Sequence, residues 1–401
     1  MVSRLCRLHS RQRFKKLTLL ARNSGTPVSQ ARESTKGFKV RGTKFEDYEQ
    51  IAALGERYGI RRRSSDEWRS FWAGNPAYRD LKSEWSIGWV IEDADRQIVA
   101  SVENIPFWYY FGGRKILAAS GRAQVAAPPY RSAVQWLLNK VINQPGVSLY
   151  LNATMSETAL PSFSAFNCPR VPAGRWDESA FWILGYRGLS KSFLAGRNYP
   201  APALLSFPVS MAVRARDLLA PSPVRESDVE VQDCGGFDDR FEMFWEELKG
   251  KNPHVLLGAR SRETLEWHFK HASLARRLWI AAVADGPRLA AYGIFLRKDN
   301  PELGLKRIRF VDFQAADGSN ALLAAVIAWA LERCRAEGIH ILESIGRWLD
   351  NPEFMKAFHP HRRKLSVWSF YYQANEPKLA KSLEAREAWR AASSFDGDAS
   401  L

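Results

Sequence analysis

Residues 121–138 read G-R-A-Q-V-A-A-P-P-Y-R-S-A-V-Q-W-L-L. The stretch ends a strand-like run that begins near Trp108, and Pro128 and Pro129 stop that run. Residues 130–142 then read as a helix, because Val134, Leu137, Leu138 and Val141 recur at the spacing that puts them on one face. A further strand follows at 147–152. A strand handed through a proline turn to a helix, and back to a strand, is the middle of a mixed α/β unit. What flanks it sets the rest of the fold.

Upstream, 44–58 is amphipathic through Phe45, Tyr48, Ile51, Ala52, Gly55 and Tyr58, and Ser64, Ser65, Asp66 and Glu67 form a capped start for a helix carrying Trp68 and Trp72. Residues 86–92 and 97–106 alternate as a hairpin about the turn 93–96, and Gly112 and Gly113 mark another turn. Downstream, 157–166 reads as irregular or short helix and 179–186 as a last strand. The order is α-α-β-β-β-α-β-α-β. It then recurs: helices at 238–248 and 261–271, a hairpin of 278–284 and 288–296, a strand at 305–314, a long helix at 319–337, a strand at 339–345, and residues 351–358 and 366–372. Between the copies, 198–236 contains Pro200, Pro202, Pro208, Pro221 and Pro223, and it reads as a junction without a long element of its own.

The expected organisation is a basic, disordered arm at 1–43, a first domain at 44–196, a linker at 197–236, a second domain at 237–375, and a C-terminal helix and tail at 376–401. A chain of 401 residues with 46% hydrophobic content can bury two cores. The longest unbroken apolar run, 321–331, is far short of the roughly 20 residues a bilayer span needs.

The formal charge of +15 is unevenly spread. Residues 1–44 hold twelve Lys or Arg against Glu33 alone, about +11, leaving +4 for the remainder. The body therefore lacks the basic footprint of a nucleic-acid binder, and no specific nucleic-acid partner is expected. The arm reads first as a disordered terminus, next as a segment making weak membrane-surface contact, and third as an Arg-rich organellar transit peptide. The four cysteines, Cys6, Cys168, Cys234 and Cys334, have neither zinc-site nor disulfide-framework spacing, so a reducing, cytoplasmic setting is expected. There is no G-x-S-x-G, no P-loop and no G-x-G-x-x-G, which leaves serine-hydrolase, P-loop NTPase and dinucleotide readings without local support. The fifteen tryptophans fall mostly at apolar-periodic positions and read as core.

The element order, present twice, resembles the GNAT (Gcn5-related N-acetyltransferase) fold. That family follows its central strand with V-x-P-x-Y-R-G-x-G-x-G, and here Ala126, Pro128, Tyr130 and Arg131 occupy the first, third, fifth and sixth positions. The resemblance implies two tandem α/β domains and acyl transfer from acetyl-CoA or another acyl-CoA to an amine, whether a small molecule, a sugar or a cell-envelope precursor. It implies that the donor's diphosphate meets backbone N–H groups and a helix N-terminus at Ala126, Tyr130, Arg131, Ser132 and Ala133. The chain departs from the motif where Ser132, Ala133 and Val134 replace the glycine-rich part. The same prolines also read simply as a strand stop and helix start with Arg131 solvated. In the second half, Asp317 stands where a phosphate would be repelled, and helix capping is expected there.

The family's usual leaving-group phenol falls here on Pro161 or Phe163, neither with a hydroxyl. Glu103 is the candidate general base, against an exposed strand carboxylate. Asn152 either holds an acceptor or caps the following helix. Arg61, Arg62 and Arg63 lie between the opening helices, where the family places part of its acceptor groove. His268 and His271 sit one helical turn apart without completing a metal set, so no metal is expected. The cluster 359–364 reads as a solvated basic turn. Two alternatives stand beside the acyltransferase: a non-catalytic protein that kept the fold for binding, and a Fem-type transferase moving amino acids from aminoacyl-tRNA, which the duplication alone supports.

Overall fold

The computed structural model describes residues 37–81, 84–218 and 229–401; the reading of residues 1–36 as an arm, and Cys6, lie outside them. Two seven-stranded mixed sheets organise the molecule. The first half contributes β1 (Lys39–Gly42), α1 (Tyr48–Arg57), α2 (Ser65–Arg69), α3 (Pro76–Leu81), β2 (Gly88–Glu92), β3 (Ile98–Phe111), β4 (Arg114–Ala126), α4 (Val134–Ile142), β5 (Leu149–Asn152), α5 (Leu160–Ser164) and β6 (Arg175–Ile183). After α6 (Tyr186–Ala195) and α7 (Pro202–Leu218) come β7 (Gln232–Cys234), α8 (Asp239–Lys251), β8 (Leu257–Gly258), α9 (Arg262–Leu274), β9 (Leu278–Asp285), β10 (Arg288–Arg297) and β11 (Arg307–Ala315). The chain closes with α10 (Asn320–Ala336), β12 (Ile341–Gly346), α11 (Pro352–Phe358), β13 (His361–Lys364), β14 (Tyr371–Ala374) and α12 (Pro377–Leu383).

β3 is the spine of the first sheet: from Ala100 to Phe107 every residue is buried. Both its faces are covered, since Glu103 meets Trp68 of α2 while its neighbour Asn104 donates to Gln144 just beyond α4. α4 buries the expected stripe Val134, Leu137, Leu138 and Val141. It begins at Val134, because Pro128–Ala133 forms a tighter 3-10 turn where the sequence reads as helix from 130. The capping box at the start of α2 is formed: Ser64 accepts from the Glu67 N–H, and the Glu67 carboxylate accepts from the Ser64 N–H.

The strand order shows what pattern alone cannot. The first sheet runs β1-β2-β3-β4-β5-β14, with β8 beside β3; the second runs β13-β6-β12-β11-β10-β9-β7. β6, read as the first half's last strand, therefore lies between β12 and β13, and β14 pairs with β5. The halves exchange their closing strands. Period-two alternation marks a strand without naming its partner, so the exchange is invisible to it.

Three further readings change. β1 pairs with β2 inside the segment read as an arm. The junction does carry a long element, the 17-residue α7, with Pro208 inside it. Pro208 marks a break by rule, yet the helix passes through it. The cluster 359–364 supplies β13 and is no mere turn: Arg363 and Lys364 pair with Glu343 and Asp177, while Lys364 also stays exposed to solvent.

The C-terminal segment is interior. Residues 391–398 are buried. Arg260 donates to Asp312 of β11 (2.8 Å), to Asp396 (3.1 Å) and to Ser393 (3.2 Å). Its guanidinium also lies over the Phe395 ring at 4.6 Å.

Candidate functional site

β4 starts as regular strand and is then disturbed twice. Its parallel ladder to β5 covers Ala118, Ala119 and Ser120 and goes no further, so the two strands part beyond Ser120 and Leu151. Against β3 the register slips: Ser101 faces Val125, but Glu103 faces Arg122, so β4 holds one residue more. Ala123 in this bulge has φ +48°, a left-handed conformation uncommon for alanine. A bulge aims side chains and backbone groups out of the ladder, and here it opens on a cavity of about 260 Å³.

That cavity is built by both halves. α1, the arginines Arg61, Arg62 and Arg63, Trp68, Glu103 and the bulge residues Arg122 and Ala123 line one side. His268 and His271 of α9, Arg277, and the β10 end at Arg297 and Lys298 line the other, with Ser400 and Leu401. Glu103 is buried; its Oε1 accepts from Trp68 Nε1 at 2.9 Å. Its Oε2 is 4.0 Å from Arg122 Nη1 and has no hydrogen-bond partner. The two histidines are held by hydroxyls, His268 Nε2 to Ser400 Oγ (2.7 Å) and His271 Nε2 to Ser70 Oγ (2.8 Å). Burial pushes His268 down to about 3, so its imidazole is neutral. Among the described residues no three or more His, Cys, Asp or Glu converge as a metal-binding group.

The opening between β4 and β5 receives the C-terminal segment. Thr154 Oγ1 donates to Asp398 at 2.9 Å, and a Cβ on Gly397 would stand 3.3 Å from Ala153. The φ of +77° favours glycine there, and a Cβ would also press on Ala153. In the second half the equivalent opening is closed by its own side chains. Arg347, after β12, donates to the Phe313 carbonyl of β11 (2.7 Å), and Trp348 packs on Phe310 and Phe313 with centroids 5.2 and 5.6 Å away.

The other sequence candidates fall as follows. Ala126 ends β4 opposite Ala100; Tyr130 is half-buried, edge-on to Phe38 at 6.4 Å; Arg131 and Ser132 are exposed; Ala133 is buried at the start of α4. No side chain caps α4 and no acid stands in its first turn. Its counterpart α10 is capped: Ser319 accepts from the Leu322 N–H, and Asp317 accepts from the Ser319 N–H. Asn152 is buried and accepts from the Thr154 N–H at 3.1 Å, turning the chain after β5; it does not line the cavity with Glu103. Of the two residues at which the usual phenol falls, Pro161 is exposed, and Phe163 is buried and stacked on Tyr150 at 6.2 Å.

Arg122, Arg277 and Lys298 join the site without having been singled out in the sequence. Arg122 sits inside the stretch that decides the fold, but nothing there distinguishes it from any strand arginine. Arg277 and Lys298 are ordinary loop-edge cations until the fold carries them to the first half.

No family profile matches this chain and no curated protein matches it in sequence. Solved structures do match. The Saccharomyces cerevisiae N-myristoyltransferase with bound myristoyl-CoA aligns at TM-score 0.53 and 13% identity, over 87% of this chain and 84% of that one. A conserved protein of unknown function and probable N-acyltransferase from Enterococcus faecalis V583 aligns at 0.52 and 12%, over 84% of this chain and 73% of that one. A GCN5-related N-acetyltransferase from Kribbella flavida aligns at 0.49 and 12%, over 84% of this chain and 71% of that one. The chain has the fold of GNAT-like acyl-CoA N-acyltransferases, in two tandem copies, which agrees with the reading of the sequence.

Proposed function

We propose that the chain transfers an acyl group from acyl-CoA to an amine, and that its first half is the working half. The observation that carries this reading is the meeting, in one cavity, of the β4 bulge at Ala123 with the unpartnered Oε2 of Glu103.

In this reading the donor's diphosphate rests on the turn from Ala126 to Ala133, against the uncapped α4 N-terminus, with Arg131 adding a charge-assisted contact and Tyr130 and Ser132 flanking it. The amine enters the cavity, and Glu103 takes its proton as the nitrogen attacks the thioester carbonyl. The C–N bond forms, the C–S bond breaks, and the thiolate takes a proton from solvent, since neither Pro161 nor Phe163 offers one. Backbone N–H groups freed at the bulge polarise the carbonyl, and most of the rate comes from this placement. Asn152 contributes by shaping the strand end, not by touching the amine.

Acetyl-CoA or a longer acyl-CoA should raise the melting temperature of the native chain. Arg131→Glu should abolish that rise, and Glu103→Gln should keep it while lowering thiol release at least a hundredfold. No rise with any acyl-CoA would refute the proposal. The missing phenol favours a second reading, a binding protein that kept the fold without turnover; thioester consumption by the native chain excludes it.

A further inference from the structure

The cavity holds more positive charge than its own acids answer. Arg63 and Arg122 lie over the same Phe71 ring, at 5.0 and 4.2 Å from its centroid. Two guanidiniums on one ring repel each other unless something negative joins them. Nη1 of Arg122 and Nε of Arg277 are buried without hydrogen-bond partners. Buried donors left this way cost free energy that a ligand would recover. Lys298, deep in the cavity wall, takes part in none of the ion pairs of the described residues, and burial together with Arg309, Arg63, Arg277 and Arg122 pushes it down to about 7.

Against these cations stand few acids. Glu103 is 4.0 Å from Arg122, and Asp398 is 3.9 Å from it and tied to Thr154. Glu67 is occupied by the capping box of α2. Arg63 is answered by Leu401, whose main-chain oxygen, a carboxylate oxygen in this chain, accepts from it at 3.0 Å. Arg62 and Arg297 are already paired, with Glu49 and Asp299. Arg277 and Lys298 thus face the cavity with no carboxylate of their own.

Resting on the acyl-transfer reading above, we infer that the acceptor is a small amine that also carries an anionic group, a carboxylate or a phosphate. The anion sits among Arg63, Arg122, Arg277 and Lys298, and this holds the amine toward Glu103. A cavity of about 260 Å³ suits a small metabolite and not a folded polymer end. The arrangement selects by charge: a neutral amine leaves the guanidinium donors unpaired, so it is rejected by more than its lost contacts.

The test uses the full chain and four probes, followed by calorimetric titration and thermal shift: O-phosphoethanolamine, β-alanine, ethanolamine and inorganic phosphate. Phosphoethanolamine or β-alanine should bind at least tenfold more tightly than ethanolamine, and whichever binds better identifies the anion as phosphate or carboxylate. Lys298→Met and Arg277→Gln should each weaken that probe tenfold or more. Both should keep the acetyl-CoA shift, which also shows that they fold. Inorganic phosphate binding as well as phosphoethanolamine would mean that the amine is not read, and would overturn the inference. So would equal binding of ethanolamine, or loss of the acetyl-CoA shift in either variant, which would give the cations to the donor. Failure of acetyl-CoA to shift the native chain overturns instead the reading on which this one rests.

Discussion

Lys298 is where the physical argument is sharpest at the level of single residues. Its ordinary value of 10.5 falls to about 7 in the fold, through burial first and then the charges of Arg309, Arg63, Arg277 and Arg122. Between about pH 7 and 10.5 the unfolded chain therefore binds a proton that the native chain has released, so stability from this residue rises with pH across that window. Below about 7 both states are charged and the full cost of the buried ammonium is present. Lys298→Met should raise the melting temperature more at pH 6 than at pH 9; equal gains at both would show that Lys298 stays solvated and holds its proton in the fold as it does in the unfolded chain. Little of this was legible in the sequence. Glu103 was singled out because a carboxylate on a hairpin strand is a recognisable base. Arg61, Arg62 and Arg63 were recognisable as a cationic loop between two helices. Arg277 and Lys298 gave no signal, since the burial of Lys298, and its approach to Arg63 and Arg122 more than 150 positions away, exist only in the fold.

Among the elements, those read correctly are those whose cause is local. α4 follows from four apolar residues at helical spacing, and α2 from its capping box; each would be recognisable in isolation. The C-terminal segment is the opposite case. Small residues such as Ala391, Ala392 and Ser393 look like a tail, yet they are what a chain needs to pass through a narrow interior. The segment is fastened by Arg260, whose guanidinium joins Asp312 of β11 to Asp396 and lies at 1% side-chain exposure. Removing it leaves two buried carboxylates without their hydrogen-bonded partner, with only the buried Arg347 nearby to offset them. Arg260→Met should therefore cost about 3–5 kcal/mol in denaturant unfolding. A loss below about 1 kcal/mol would place this cluster with solvent-exposed ion pairs.

For the molecule as a whole, the exchange of β6 and β14 makes the two copies mutually dependent. The first sheet lacks its strand next to β5 until residues 371–374 arrive, and the second has β12 and β13 separated until β6 fills the place between them. The duplication was legible because element order survives low identity; the exchange was not, because a strand that pairs with its own half and one that pairs with the other half carry the same alternation. The exchange also ties function to integrity, since the cavity draws Glu103 and Arg122 from one half and His268, Arg277 and Lys298 from the other. Two halves that fold independently would melt in two steps. Halves that each supply a strand to the other's sheet should melt in one, and the loss of far-ultraviolet circular dichroism and of tryptophan fluorescence should coincide along a urea titration. A fragment ending at residue 196 should stay unfolded or aggregate, because it carries β6 with nothing to pair and leaves the β5 edge uncovered. Co-expression with a second fragment from residue 229 should rescue it, since that fragment brings β12, β13 and β14. Two separated transitions, or a first fragment that folds alone, would show that each half can close its own sheet and that the exchange is not what holds the cavity together.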